Sequence, residues 1–207
     1  MKLWSCQEEW PGSVVFIICG GSSVAAQDLN LLHGQKVIAI NSSVFAFPQA
    51  DFLFFGDSRW WYHNQTLLKE YNGRIVTTTT AHTDPNRVLY MNKVKPPPGF
   101  IEKRDSLVMQ YTSLQAAMNL AKHLGAKTIV PVGADNGPNK EGRIYHHKPH
   151  PDHWARRNET WDLQMANLAL TVKPYRKNGI EIINASLQSR LPWWPKKELK
   201  ECLTLSV

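Results

Sequence analysis

The run Val14-Val15-Phe16-Ile17-Ile18-Cys19, passing directly into Gly20-Gly21-Ser22-Ser23, constrains this chain more than any other feature. Its apolar residues are continuous rather than alternating. A strand made of them is covered on both faces, as in a parallel sheet with helices on either side. The glycines then allow a tight turn, and the serines suit the start of a helix. The same order recurs along the chain. Lys36 to Ile40 ends at Asn41-Ser42-Ser43, and Phe52 to Phe55 ends at Gly56-Asp57-Ser58. Arg74-Ile75-Val76 leads into Thr77 to Thr80, Thr128 to Val132 ends at Gly133-Ala134-Asp135, and Ile180 to Ile183 ends at Asn184-Ala185-Ser186.

Helical patterns separate these strands. One spans Val24 to Leu32 with Gly34 as its stop, and another carries Trp60-Trp61 on to about Tyr71. Thr112-Ser113 can cap a helix over Leu114 to Leu124, with Gly125 after its end. Thr160 can cap a further helix from Trp161 to about Lys177, kinked at Pro174 and closed by Gly179. A short final helix follows Leu191-Pro192-Trp193-Trp194-Pro195. Strands alternating with helices specify an α/β fold, a Rossmann-like three-layer domain with a mainly parallel sheet and right-handed crossovers. Pro131 argues against a central place for its strand unless a bulge intervenes. At 207 residues, 43% of them hydrophobic, the chain suits one domain over 1–207. Two parts interrupt the pattern: an irregular insertion or small hairpin at about 81–110, and a His-rich loop at about 136–158.

A formal net charge of +7 and an isoelectric point near 9.4 favour an anionic small molecule or nucleotide as partner. Nucleic acid suits the charge too, but no motif supports it. Cys6, Cys19 and Cys202 are odd in number and lack metal-ligand spacing, which argues against a disulfide framework and for a reducing compartment. The first apolar run is too short for a signal peptide core or a membrane span, so a cytoplasmic location is expected.

In an open parallel sheet, ligands lie outside the carboxyl ends of the strands, at a switch in strand order. The candidate ligand-binding residues are therefore Gly20, Gly21, Ser22, Ser23, Asn41, Ser42, Asp57, Ser58, Thr112, Ser113 and Gly133, with Asp135 as a candidate catalytic group. Any one of these loops could owe its residue types to turns and caps alone; six such loops at one edge favour a site. Gly20 to Ser23 suits phosphate or carboxylate, although it lacks the lysine of a P-loop and the third glycine of a dinucleotide fingerprint. Asp57 and Asp135 could each bind a ribose hydroxyl, hold a metal or cap a helix. His146, His147, His150 and His153 are half of the eight histidines in the chain. Pro149 and Pro151 break any helix there, so acid/base work by one histidine is favoured over a closed metal site. Arg143, Lys148, Arg156 and Arg157 of the same stretch would supply charge for phosphate. Trp60-Trp61 and Trp193-Trp194 could stack on a base or sugar, but core packing is the commoner use of such pairs.

Four segments together resemble a known pattern: Ile17 to Ser23, Ala39-Ile40-Asn41-Ser42, Tyr111-Thr112-Ser113 and Val132-Gly133-Ala134-Asp135. The pattern is similar to that of bacterial lipooligosaccharide sialyltransferases, which use a CMP-activated sugar without needing a metal. It is also similar to archaeal 6-hydroxymethyl-dihydropterin diphosphokinases, and small proteins of this general type look familiar from bacteriophage genomes, which would mean a host cytoplasm. The resemblance implies a Rossmann-like domain whose first loop reads roughly G-x-G-P-S-L. Here Cys19 takes the first glycine, Gly20 the following asparagine and Ser22 the proline, while the serine is kept as Ser23. By the same resemblance, Gly20 to Ser23 and Asn41 would contact nucleotide phosphate and sugar. Thr112-Ser113 would bind the donor, and His146 or His147 would be the base. The family's tyrosines that assist the leaving phosphate have no assignable counterpart.

Three functions follow as expectations. The first is a transferase with a nucleotide-activated donor, a glycosyltransferase of sialyltransferase-like type, with no cofactor assigned. The second is a pterin-type diphosphokinase using ATP, with Mg²⁺ held by Asp57 and Asp135. The third is a non-catalytic protein that binds and sequesters a nucleotide.

Overall fold

The structure, a computed structural model, describes residues 2–80, 84, 86–148 and 159–205. In chain order its elements are β1 (Val14–Ile18), β2 (Lys36–Ile40), α1 (Ser43–Ala46), β3 (Phe52–Phe55), α2 (Ser58–Asn64), β4 (Arg74–Thr77), β5 (Val88–Tyr90), β6 (Asn92–Val94), β7 (Ser106–Val108), α3 (Ser113–Leu124), β8 (Thr128–Val132), α4 (Glu159–Lys177), β9 (Glu181–Ile182) and α5 (Leu199–Cys202). Seven strands form one sheet in the order β5-β4-β3-β2-β1-β8-β9, and every pairing is parallel. From β1 the chain adds strands outward through β2 to β5, then returns to place β8 and β9 on the other side. The strand order therefore reverses at β1, and that reversal opens a crevice at the carboxyl ends of β1 and β8.

The unbroken apolar run of β1 now has its reason. Val15, Ile17 and Cys19 join the core on one face, with Ala117, Met118 and Ala121 of α3 and Tyr175 of α4. Phe16 and Ile18 join the core on the other, with Trp60 and Trp61 of α2 and Leu199 and Cys202 of α5. Both tryptophans of α2 are fully buried, and Trp61 stacks on Phe55 with ring centroids 5.0 Å apart. Their role is packing, as is that of buried Trp194. Burying one such aromatic is worth roughly 2–3 kcal/mol, so the helix behind the crevice is firmly fixed.

Several elements differ from the sequence-based expectations. The stretch 24–32 forms two 3₁₀ turns, Ser22–Ala26 and Leu29–Leu32, because Gln27 is extended and the Asp28 carboxylate starts a new turn by accepting from the Asn30 N–H. The helix after Asp57 starts at Ser58 and stops at Asn64, whose side chain donates to the Trp60 carbonyl; a 3₁₀ turn, Gln65–Leu68, continues it. Thr160 lies inside the first turn of α4 instead of capping it. Among the described residues, the segment after β4 forms no hairpin. β5 joins the main sheet, while β6 and β7 pair in parallel, which requires the longer excursion through Pro96-Pro97-Pro98. Pro131 does occupy an interior strand. Its carbonyl accepts from the Ala185 N–H on the β9 side, so its missing donor faces the two-residue edge strand. Cys6, Cys19 and Cys202 are free and buried. No described helix is long and apolar enough to cross a membrane.

Candidate functional site

The crevice is a cleft whose floor is the strand-end loops. Cys19, Gly20 and Gly21 follow β1, Ile40 and Asn41 follow or end β2, and Gly133 to Gly137 follow β8. Thr112, Ser113 and Leu114 supply the amino end of α3, while Trp161, Gln164 and Leu168 of α4 and Ile144, Tyr145 and His147 form the remaining walls. The cleft continues past Asn41 into a second lobe lined by Gly56, Asp57, Arg59, Trp60, Met109 and Tyr111. Among the described non-glycine residues, Asn41 (φ 50°), Tyr111 (φ 61°) and Asn136 (φ 56°) have left-handed backbones, and all three line this cleft. Asparagine adopts that conformation readily, but for a tyrosine it costs on the order of 1–3 kcal/mol. Gln164 offsets part of that cost by donating to the Tyr111 carbonyl at 2.9 Å. Strain concentrated in one cleft is a mark of function.

Asn41 carries a second signal: its Oδ1 is buried with no hydrogen-bond partner among the described residues. A buried amide oxygen left unpaired costs about 1–3 kcal/mol. A donor brought by a ligand would remove that cost.

The loops after β1 and β8 are clasped together. Asp135 accepts from the Ser23 N–H at 2.8 Å, from Ser23 Oγ at 2.5 Å and from Ser22 Oγ at 3.4 Å. Gly21 donates to the Gly133 carbonyl at 3.0 Å, and Gly133 adopts φ +76° with Val24 packed so close that a Cβ would stand 2.2 Å from its methyl. Glycine alone fits there. Ser186 Oγ then accepts from the N–H groups of Gly133 and Ala134, at 2.8 and 3.0 Å. The carboxylate of Asp135 is thus a structural clasp between two loops.

The two described histidines of the 146–147 pair differ. His146 Nε2 lies 3.1 Å from Ser43 Oγ, and that hydroxyl donates its proton to the Cys19 carbonyl at 2.8 Å. Ser43 therefore accepts from Nε2–H, and the ring ties its loop to the end of β1. Burial, with His147 beside it, pulls the His146 pKa down to about 4, so the ring is neutral at pH 7. His147 instead places Nδ1 2.7 Å from the Lys148 carbonyl, which can only accept. Nδ1 therefore donates to that carbonyl, and Nε2 lies toward Gly20 in the cleft. Tyr145 stacks on the same ring at 5.0 Å. His147 lines the cleft, whereas His146 stands behind it.

The structure thus brings Gly20, Gly21, Asn41, Thr112, Ser113, Gly133, Asp135 and His147 to one cleft, with Asp57 in its second lobe. Ser22 and Ser23 sit on the far side of the Asp135 clasp. Ser42 accepts from Trp60 Nε1 at 2.8 Å, and Ser58 opens α2; neither lines the cleft. Asp57 caps α2 and receives both Nε and Nη2 of Arg59. The carboxylates of Asp57 and Asp135 are therefore each engaged separately, and no group of three or more metal-ligating side chains occurs among the described residues. His150, His153, Arg156 and Arg157 lie outside the described residues. Sequence reasoning did not single out Asn136, Tyr145, Trp161, Gln164 or Leu191, and it named Tyr111 only as the neighbour of Thr112-Ser113; Trp161, Gln164 and Leu191 reach the cleft from remote segments. Asn136 and Tyr145 could have been found by their place between Asp135 and the histidines.

No family model matches the chain, and no curated protein matches it. Among solved structures, the fold is similar to that of the sialyltransferase CstII from Campylobacter jejuni in complex with a substrate analogue, cytidine-5'-monophosphate. That likeness has a TM-score of 0.56 at 14% sequence identity, over 90% of this chain and 85% of that chain. At that identity the shared feature is the fold.

Proposed function

We propose that the chain is a glycosyltransferase that moves a sugar from a nucleotide-activated donor to a hydroxyl acceptor, in the manner of a sialyltransferase. The observation that carries this reading is the cleft at the β1/β8 switch, where the unpaired amide oxygen of Asn41 and the imidazole of His147 meet the amino end of α3. The cytidine nucleotide named with the structural neighbour makes a CMP-sugar the first donor to test. The nucleotide would lie across Gly20, Gly21 and Asn41 toward Thr112 and Ser113. Ser113, in the first turn of α3, adds the positive end of a 12-residue helix to the phosphate site. Nε2 of His147 takes the proton as the acceptor oxygen bonds to the anomeric carbon and the carbon–phosphate-oxygen bond breaks. The electron pair of that bond leaves with the nucleoside phosphate.

The Lys148 carbonyl fixes the orientation of the ring and turns Nε2 toward the cleft, which is what a positioned general base requires. Magnesium-dependent diphosphokinase chemistry is not favoured, because the two carboxylates it needs are separately committed to Arg59 and to Ser22-Ser23. Incubation with CMP-, UDP- and GDP-sugars plus saccharide acceptors tests the proposal by chromatography of released nucleotide. Acceptor-dependent release from one nucleotide class is expected. His147→Ala should reduce it by about 10²–10⁴-fold with nucleotide affinity retained. Release that is indifferent to His147, or absent with every donor, would count against a transferase.

A further inference from the structure

A second groove lies on the other side of the loop clasp, and it shares Asp135 and Gly137 with the cleft. We infer that this groove is the acceptor subsite, and that it takes a saccharide bearing an acidic group, read by Arg190. The inference rests on the transferase reading above.

Position is the first argument. Asp135 and Gly137 form the ridge between the two spaces, so a chain lying in the groove enters the cleft across that ridge. Consecutive residues straddle it as well: Leu191 lines the cleft while Arg190 lines the groove. Chemistry is the second. Gln27 and Gln188 line the groove together with Ser22 and Ser23, whose hydroxyls give their protons to Asp135 and keep acceptor lone pairs. Amides that donate and accept, beside hydroxyls that accept, suit the hydroxyls of a sugar.

Charge is the third argument. Lys140 and Arg190 also line the groove and have no ion-pair partner among the described residues. The groove's own carboxylates do not serve them. Asp135 is held by Ser22 and Ser23, and Glu141 accepts from Asn139 Nδ2 at 2.6 Å. A planar guanidinium in that state is suited to a phosphate or carboxylate in bidentate geometry.

Arg190 is also built into place. Its N–H donates to the Asp135 carbonyl at 2.9 Å, and Ser189 Oγ next to it donates to the Ala134 carbonyl at 2.6 Å. Its side chain covers Gly137 so closely that a Cβ there would stand 2.7 Å from Nε. Any larger residue at 137 would push the guanidinium off the ridge.

Calorimetric titration of the full chain with galactose 6-phosphate, galactose and inorganic phosphate tests the inference, with CMP as a separate titration. Galactose 6-phosphate should bind at least 10-fold more tightly than either galactose or phosphate. Arg190→Gln should remove that advantage while leaving CMP affinity within about 2-fold, and Lys140→Gln should lower it partially. Gly137→Ala, which keeps the charge but displaces the guanidinium, should likewise remove the advantage of galactose 6-phosphate over galactose. Equal binding of galactose and galactose 6-phosphate, or an advantage that survives both Arg190→Gln and Gly137→Ala, would overturn the inference and leave the transferase proposal standing. Equal binding of phosphate alone would also overturn it, marking a simple anion site. Charge-selective sugar binding without any nucleotide binding would sink the transferase proposal, and with it the assignment of this groove to an acceptor.

Discussion

At the scale of single residues, the two adjacent histidines separate by their hydrogen bonds. His146 is bound through Ser43 to the Cys19 carbonyl, and His147 is turned by the Lys148 carbonyl so that Nε2 faces the cleft. His147→Gln should therefore abolish transfer with a melting temperature close to that of the parent. His146→Gln should mainly affect stability. The pH dependence follows from the pKa of about 4 held in the folded chain, against the ordinary value of 6.5. Between those values the unfolded chain binds a proton that the folded chain does not, so stability falls as pH drops from about 6.5 toward 4. Thermal melts across that window should show this slope in the parent and a shallower one in His146→Gln. An identical slope in both would show that His146 is not the group responsible. The sequence offered 146 or 147 as candidate bases without separating them, because the partners that set the two rings apart, the Lys148 carbonyl and a serine far away in the chain, show only in the fold.

At the scale of elements, the strand ends were legible because each apolar run stops at residues that turn or cap. Thr112 caps α3 as read from the sequence, accepting from the Leu114 N–H at 3.2 Å. The clasp between the β1 and β8 loops was not legible, since Asp135 and Ser23 gain their meaning only when β8 is inserted next to β1. Asp135→Ala leaves the Ser23 N–H and two hydroxyls without their acceptor and should cost about 1–3 kcal/mol, read as a lower denaturant midpoint at unchanged slope. Gly133→Ala adds a methyl against Val24 in a left-handed backbone, and should destabilise by a similar amount and weaken nucleotide binding too. If either variant kept parental stability, the clasp would not be what holds these loops. The segment 81–110 resisted reading because its strands are three residues each, and β6 and β7 pair with each other across an excursion through Pro96-Pro97-Pro98.

At the scale of the whole molecule, a parallel sheet was written in the continuous apolar runs, but its strand order was not. Reversal at β1 is what gathers Gly20, Asn41, Thr112 and Gly133 from four segments into one cleft, and what adds Tyr111, Tyr145 and Gln164 to it. Local sequence encodes each loop; only the order of the strands encodes their meeting. The net charge of +7 would raise the encounter rate with anionic donors, so the apparent affinity for a nucleotide should weaken as salt is raised.

The most direct test is calorimetric titration of CMP into the parent chain and into Asn41→Gly, a substitution that removes the unpaired amide but keeps the left-handed backbone relaxed. One site per chain in the parent, with affinity at least 10-fold weaker in Asn41→Gly at equal stability, is the expected result. No binding of CMP, UDP, GDP or ADP by the parent, or undiminished affinity in Asn41→Gly, would contradict a nucleotide site in the β1/β8 cleft.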